Sequence, residues 1–328
     1  MKKRSISIVV MLLFVAAIFS SFGDKNLKDN NQNPPGEFET LLEYLENDIH
    51  FLKGDDFPII LANDVRKNLK NPKQHIIDIR TDSWFEYGHI KNAANVASAD
   101  LLNYFETKIK PEEYDQIVMV CYSGQSAAYF TSLLRLSGYD NVYSMKWGMS
   151  SWREDFAEGT WLKNTGNDFA TNLEVEEKAK EEKGNYPTLT TGKTEATDIL
   201  KARLDALFAI PYKEHIIKSE DLFEDPSNFY IVNYWDEEKC DGHIPGSLHY
   251  QPNASITKDL NTIPSNEKVV IYEETGQKAA YVVAYLNVLG YDAGNLAYGE
   301  NGFMNNLLKK TGGDAFTKKE INMFPVIE

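Results

Sequence analysis

The chain has 328 residues, 42% of them hydrophobic, and a formal net charge of -15 from 34 basic and 49 acidic residues. That length exceeds one small core and suits two domains of ordinary size. A field of that sign repels nucleic acid and anionic membranes, and it slows the arrival of any anionic substrate.

At the start of the chain, Lys2, Lys3 and Arg4 precede an apolar run from Ile6 to Phe19, and the small residues Ser21 and Gly23 fit a signal-peptidase site. Residues 1–23 therefore read as a bacterial-type signal peptide. The run is short for a membrane span, and no cysteine near residue 23 offers an acylation site. The mature chain is expected off the membrane, in the periplasm or outside the cell.

A first domain is expected over 36–163, opened by a helix near Leu41–Leu45. Ile76–Ile79 and Ile117–Val120 are short continuous apolar runs, the pattern of strands buried on both faces. Asp78 and Arg80 close the earlier run, and Gly88-His89-Ile90 follows. Cys121 ends the later run and leads into Tyr122, Ser123, Gly124, Gln125 and Ser126. From Ser126 to Leu136 apolar residues recur at helical spacing and stop near Gly138. Trp147-Gly148 and Trp152 follow.

Residues 164–198 have linker composition, with the charged run EVEEKAKEEKG read as one solvated helix, then Pro187 and a Thr-rich stretch. Gly192-Lys193-Thr194 belongs to this linker. Pro187 stands where a phosphate-binding loop has its first glycine, and no buried strand precedes it. A second domain is expected over 199–315, opened by a helix near Ile199–Leu204.

The two regions repeat each other. Ile117–Asp140 and Val269–Asp292 align without a gap: Gly124 meets Gly276, Gln125 meets Gln277, and Ala127-Ala128-Tyr129 meets Ala279-Ala280-Tyr281. Upstream, Gly88-His89-Ile90 answers Gly242-His243-Ile244. Downstream, Trp147-Gly148 answers Tyr298-Gly299. Three anchors in one order mean duplication. Strand, helix and strand in alternation imply a mainly parallel sheet with helices on both faces in each copy. Asn233 and Trp235 replace Asp78 and Arg80 in the second copy, and Glu273 stands where Cys121 stood. His243 persists where the cysteine is gone, so a packing role fits both His89 and His243.

A tight loop between a strand ending in Cys121 and a helix starting near Ser126 lets successive backbone N–H groups converge, with the helix dipole behind them. Gly124 permits a backbone conformation that a Cβ would block, and Ser123 and Ser126 leave room and offer hydroxyls. A cysteine in that cradle is expected to be a thiolate at neutral pH, hence a nucleophile. The second cysteine, Cys240, lies in the other copy without such a loop, and no Cys121–Cys240 bridge is expected. Six histidines without HExxH, and no CxxC, point to no metal and no cofactor.

Both copies resemble rhodanese domains, through IIDIR…GHIKNAANV, VMVCYSGQSAAY, LSGYDNVYSMKWGMSSW and the tandem repeat. The resemblance spans roughly 55–160 and 210–310. It implies two tandem α/β domains and a sulfurtransferase, with Cys121 carrying sulfane sulfur as a persulfide from thiosulfate or a persulfide donor to a thiophilic acceptor. The backbone amides of Tyr122, Ser123, Gly124, Gln125, Ser126 and Ala127 would cradle the persulfide, and Asp78 and Arg80 would support the loop as an ion pair. The second copy would be catalytically silent. A sulfur-relay module that serves a protein acceptor without turnover is the alternative. Tyr122, Ser123, Gln125 and Ser126 stand where many sulfurtransferases carry arginine or lysine. Phosphatases on this fold need an arginine at the sixth position after the cysteine, where this chain has Ala127.

Overall fold

The computed structural model describes residues 36–49, 57–176, 178–182, 185–235, 242–251 and 255–328. The expected signal peptide and Cys240 lie outside the described residues. Pro35–Glu328 form one compact unit.

The continuous apolar runs become central strands. The first half contains β1 (Ile59–Ile60), β2 (Gln74–Asp78), β3 (Ala93–Asn95), β4 (Gln116–Val120) and β5 (Val142–Met145). They form one sheet in the order β1-β5-β4-β2-β3, and every pairing in it is parallel. The second half repeats this with β6 (Ile216–Ile217), β7 (Phe229–Asn233), β8 (Leu248–His249), β9 (Lys268–Tyr272) and β10 (Ala293–Leu296), in the order β6-β10-β9-β7-β8. Ile117 to Val120 on β4 are fully buried, as strands covered on both faces must be. The registers match across the halves: Asp78 lies opposite Val120, and Asn233 opposite Tyr272.

Helices fill the crossovers of the first half: α1 (Glu37–Tyr44), α2 (Ala62–Lys67), α3 (Asp82–Tyr87), α4 (Leu101–Thr107), α5 (Gln125–Leu136), α6 (Glu154–Glu158) and α7 (Trp161–Asn164). The second half has α8 (Ala196–Phe208), α9 (Ser219–Glu224), α10 (Ser255–Lys258), α11 (Gln277–Val288) and α12 (Asn301–Thr311). The helices expected near Leu41–Leu45 and Ile199–Leu204 are α1 and α8, and they pack on each other.

The two halves meet along α5 and α11, each sandwiched between its own sheet and the other helix. A helix covered on all sides has to be apolar all round, and Ala127–Leu134 and Ala279–Val288 are buried throughout. Several polar groups trapped there find partners across the seam. Ser132 Oγ donates to Tyr281 O at 2.8 Å, Tyr129 Oη and His215 Nε2 are 3.1 Å apart, and Asn287 Nδ2 donates to Tyr129 Oη at 3.5 Å. One apolar cluster runs through both halves and includes Cys121.

The chain ends are exchanged between the halves. Phe38 of α1 packs on Tyr291, and Tyr285 Oη donates to Glu46 at 2.8 Å. The C-terminal segment returns to the first half: Phe324 N donates to Trp152 O, Trp152 Nε1 donates to Pro325 O, and His89 and Ile327 form an antiparallel bridge.

The solvated helix expected in EVEEKAKEEKG does not form: the described residues of that run are non-helical. An isolated helix with no apolar face to bury is marginal, and the Glu174–Lys178 pair at 3.4 Å contributes only tenths of a kcal/mol. Instead Glu174 makes an antiparallel bridge to His243, with two backbone hydrogen bonds of 2.8 Å. The run lies along the second half.

Candidate active site

The loop expected to carry the chemistry joins β4 to α5. Gly124, the residue before α5, has φ +91° and ψ -22°, a left-handed conformation natural to glycine. That turn sends Gly124 N toward Cys121 Sγ at 3.1 Å, and Ala127 N reaches the same sulfur at 3.4 Å. The Ser126 hydroxyl and the Ser123 backbone amide also favour the ionised sulfur. Among the amides expected to form the cradle, those of Ser123, Gly124 and Ala127 act on the sulfur.

The amides point inward because the carbonyls of the same peptides are tied outward. A carbonyl and the following N–H face opposite ways across a planar trans peptide. Cys121 O accepts from Met149 N at 2.9 Å. Tyr122 O accepts from Ser150 Oγ at 2.9 Å, and Ser123 O accepts from Trp161 Nε1 at 2.9 Å. Gly124 O accepts from Ala128 N at 3.0 Å within α5 and from Gln277 Nε2 of the second half at 3.4 Å. The Trp147-Gly148 turn lies directly against the loop. A Cβ built on Gly148 would sit 2.5 Å from Cys121 O and 2.6 Å from Gly124 N.

Burial sets the sulfur's electrostatics. Cys121 is 1% exposed, and desolvation pushes its thiol above the ordinary value; the surrounding hydrogen bonds oppose that push without overcoming it. This corrects the expectation of a thiolate at neutral pH. The cradle is present, but it lies beneath the surface, and loss of water outweighs it. The ionisable groups facing the sulfur from the second half are Tyr212 and Tyr298. Burial pushes both phenols up, Tyr298 to about 12, so neither charges near neutrality.

Asp78 and Arg80 form a buried pair beneath the loop. Arg80 Nη2 donates to Asp78 Oδ2 at 2.7 Å and to Gly88 O at 2.7 Å, and Arg80 Nε donates to Asp78 Oδ1 at 3.0 Å. The guanidinium lies over Phe156 at 4.9 Å and Tyr122 at 6.0 Å. Tyr122 turns away from the sulfur: its Oη is 3.2 Å from both Thr81 N and Thr81 Oγ1, and its ring meets Trp84 edge-on. His89 stacks on Phe85, and His243 bonds within its own loop and to Glu176 O, so both serve packing.

A cleft of about 880 Å³ opens between the halves against this loop. Tyr122, Ser123, Gln125 and Ser126 line it, whereas the buried Cys121, Asp78 and Arg80 do not. Lys163, Lys213 and Lys218 line the cleft, balanced by Asp168, Glu220 and Asp221. These lysines went unnoticed in the sequence because only the fold gathers them. The Gly-Gln pair repeated in both loops was the visible trace of Gln277.

In the second half the same loop is filled from within. The Glu273 carboxylate takes the place of the sulfur and accepts from Thr275 N at 2.8 Å, Thr275 Oγ1 at 2.9 Å and Lys278 N at 3.2 Å. Glu273 is 2% exposed, and burial pushes its carboxyl above the usual range.

The Rhodanese-like domain profile matches residues 61–155 and 219–306, more than half of the chain and one match per half. The chain belongs to the rhodanese family. It is 33% identical over 84 residues to a thiosulfate sulfurtransferase GlpE of Pseudoalteromonas translucida, covering 25% of this chain and 76% of that protein. To the thiosulfate sulfurtransferase GlpE of Vibrio cholerae it is 30% identical over 99 residues, covering 30% of this chain and 90% of that one. Among solved structures, a thiosulfate sulfurtransferase from Pseudomonas aeruginosa matches 89% of this chain and 48% of its own, at 16% identity and a TM-score of 0.29. At the level of the family, the rhodanese resemblance is to sulfurtransferases.

Proposed function

We propose that this rhodanese carries sulfane sulfur on Cys121. The observation that carries the reading is the pair of amides, Gly124 N and Ala127 N, aimed at one sulfur at 3.1 and 3.4 Å. In the first step the Cys121 thiolate, its proton released to solvent, attacks the outer sulfur of a donor. With thiosulfate the S–S bond breaks, sulfite leaves with the bonding pair, and Cys121 becomes a persulfide anion. The amides that face Sγ stabilise that charge. An acceptor nucleophile then takes the terminal sulfur and returns the thiolate, so no net oxidation occurs. With cyanide the product is thiocyanate; with a thiolate it is a new persulfide.

A second reading, a relay that loads once and waits for a protein acceptor, is favoured by two observations. The sulfur is 1% exposed, and the loop itself offers no arginine or lysine to a small anion. Intact mass spectrometry on protein incubated with thiosulfate, polysulfide or a persulfide donor tests the common core. One added sulfur atom, discharged by cyanide and absent in Cys121→Ser, is expected. Repeated cycling with small donors separates the enzyme from the relay, and no labile sulfur from any donor would overturn both. In the cell we place this activity outside the cytoplasm, on the strength of residues 1–23.

A further inference from the structure

Gln277 begins α11 behind the loop that carries Glu273 in place of a cysteine, yet its side chain leaves that loop and enters the other one. It is 1% exposed. Its Oε1 accepts from Trp147 N at 2.8 Å, and its Nε2 donates to Gly124 O at 3.4 Å and Met145 O at 3.5 Å. The exchange is mutual: Gln125 Oε1 accepts from Tyr298 N at 2.8 Å and Asn295 Nδ2 at 3.0 Å. Each glycine faces the other half's amide. A Cβ on Gly124 would lie 2.6 Å from Gln277 Cδ, and one on Gly276 would lie 2.6 Å from Gln125 Oε1.

We propose that Gln277 is a positioning residue for the Cys121 loop, so that the half whose own loop carries Glu273 completes the site in the half whose loop carries Cys121. This rests on the reading of Cys121 as the sulfur carrier. Trp147 sits at φ +62°, an unusual conformation for a side chain of its size, and the Gly148 that follows it touches the backbone of Cys121 and Gly124. Gln277 therefore holds the loop at two points, the Gly124 carbonyl and the turn behind it. The chemistry asks for an amide. Trp147 N–H needs an acceptor, and the Gly124 and Met145 carbonyls accept from an N–H, so glutamine matches both kinds of contact. Glutamate offers only acceptors, methionine offers neither, and asparagine is one carbon short.

Releasing Gln277 frees Gly124 on its carbonyl side and loosens the Trp147 turn, so that the Gly124 N–H on the adjoining peptide drifts from the sulfur and the thiolate becomes harder to form. Tyr212 and Tyr298, the ionisable groups that face Cys121 from the second half, stay neutral through the range concerned. Gln277→Met and Gln277→Glu are made in the full-length protein carrying Cys240→Ser, which leaves one thiol. Thiolate ultraviolet absorbance, read as a difference against Cys121→Ser, gives the ionisation midpoint without requiring access to the sulfur. Both variants are expected to raise the midpoint by roughly one pH unit, and to slow thiolate-limited sulfur loading near pH 7 by about tenfold. Glu273→Gln, in the same second-half loop but without contact to Cys121, is expected to leave the midpoint in place. A midpoint and loading rate within about twofold of the parent in either folded Gln277 variant would overturn the proposal. If the parent never loads sulfur, the sulfur-transfer reading falls, and the ionisation midpoint still decides the role of Gln277.

Discussion

The Asp78–Arg80 pair allows a quantitative test of how the loop is supported. Both side chains are essentially inaccessible, at 1% and 0%. Arg80→Met keeps an apolar stem of similar length, so the contacts with Phe156 and Tyr122 survive in part. It removes the Arg80 Nε bonds to both Asp78 oxygens and the Nη2 bonds to Asp78 Oδ2 and Gly88 O. Asp78 then keeps the backbone N–H of residue 80 as its remaining bond from that residue, and a charge stays buried without its counterion. Breaking a buried pair from one side costs about 3–5 kcal/mol. At a few degrees per kcal/mol for a chain of this size, the melting temperature should fall by roughly 6–15 °C. Asp78→Asn combined with Arg80→Met removes the charge together with its partner, and should recover much of that loss. Thermal and urea unfolding of the four proteins measure the cycle. A loss below about 1 kcal/mol in Arg80→Met, or a double variant as unstable as the two singles added, would refute the account of a buried pair whose break strands a charge.

Three further outcomes are expected. Gly148→Ala forces a side chain into φ +57° and against the backbone of Cys121 and Gly124. It should cost about 1–3 kcal/mol by denaturation and reduce sulfur loading more than tenfold, and wild-type loading would show that the turn does not bear on the loop. Because burial raises the Cys121 thiol, sulfur loading should accelerate as pH rises from about 7 toward 9, whereas a rate already flat below about pH 7 would contradict a raised thiol. Glu273 also has a raised folded-state pKa, so the stability it contributes is fully present below its ordinary 4.5 and is lost as pH rises through the folded value. The melting temperature of Glu273→Gln relative to wild type should therefore be higher near pH 7 than near pH 4, and a difference that stays constant with pH would exclude a raised carboxyl.

Much of the architecture was legible because its causes are local. Strands buried on both faces favour apolar runs, which Ile117–Val120 supplies unbroken and Ile76–Ile79 supplies with Asp78 as its one polar member. A left-handed turn before a helix favours glycine, and both loops place one there. Asp78 and Arg80 are two residues apart at a strand end, close enough to pair without knowledge of the fold. The features that escaped depend on distant parts of the chain. Helix propensity in Glu174–Lys178 lost to a bridge with His243, about seventy residues away in sequence. Lys163, Lys213 and Lys218 share a cleft only once the halves are docked. The sign of the Cys121 shift followed from depth of burial, which loop composition does not encode.

The two loops together indicate what the duplicated scaffold does physically. In the first, the amides of Gly124 and Ala127 face the Cys121 sulfur. In the second, Thr275 N and Lys278 N face a carboxylate that belongs to the chain itself. Convergent amides stabilise whatever anion sits between them, so an internal carboxylate satisfies the second cradle and closes it to external ligands. The first loop is tied to the second half through Gln277 and the α5–α11 seam. The half whose loop carries Glu273 thus keeps the same frame and sets it against the Cys121 loop.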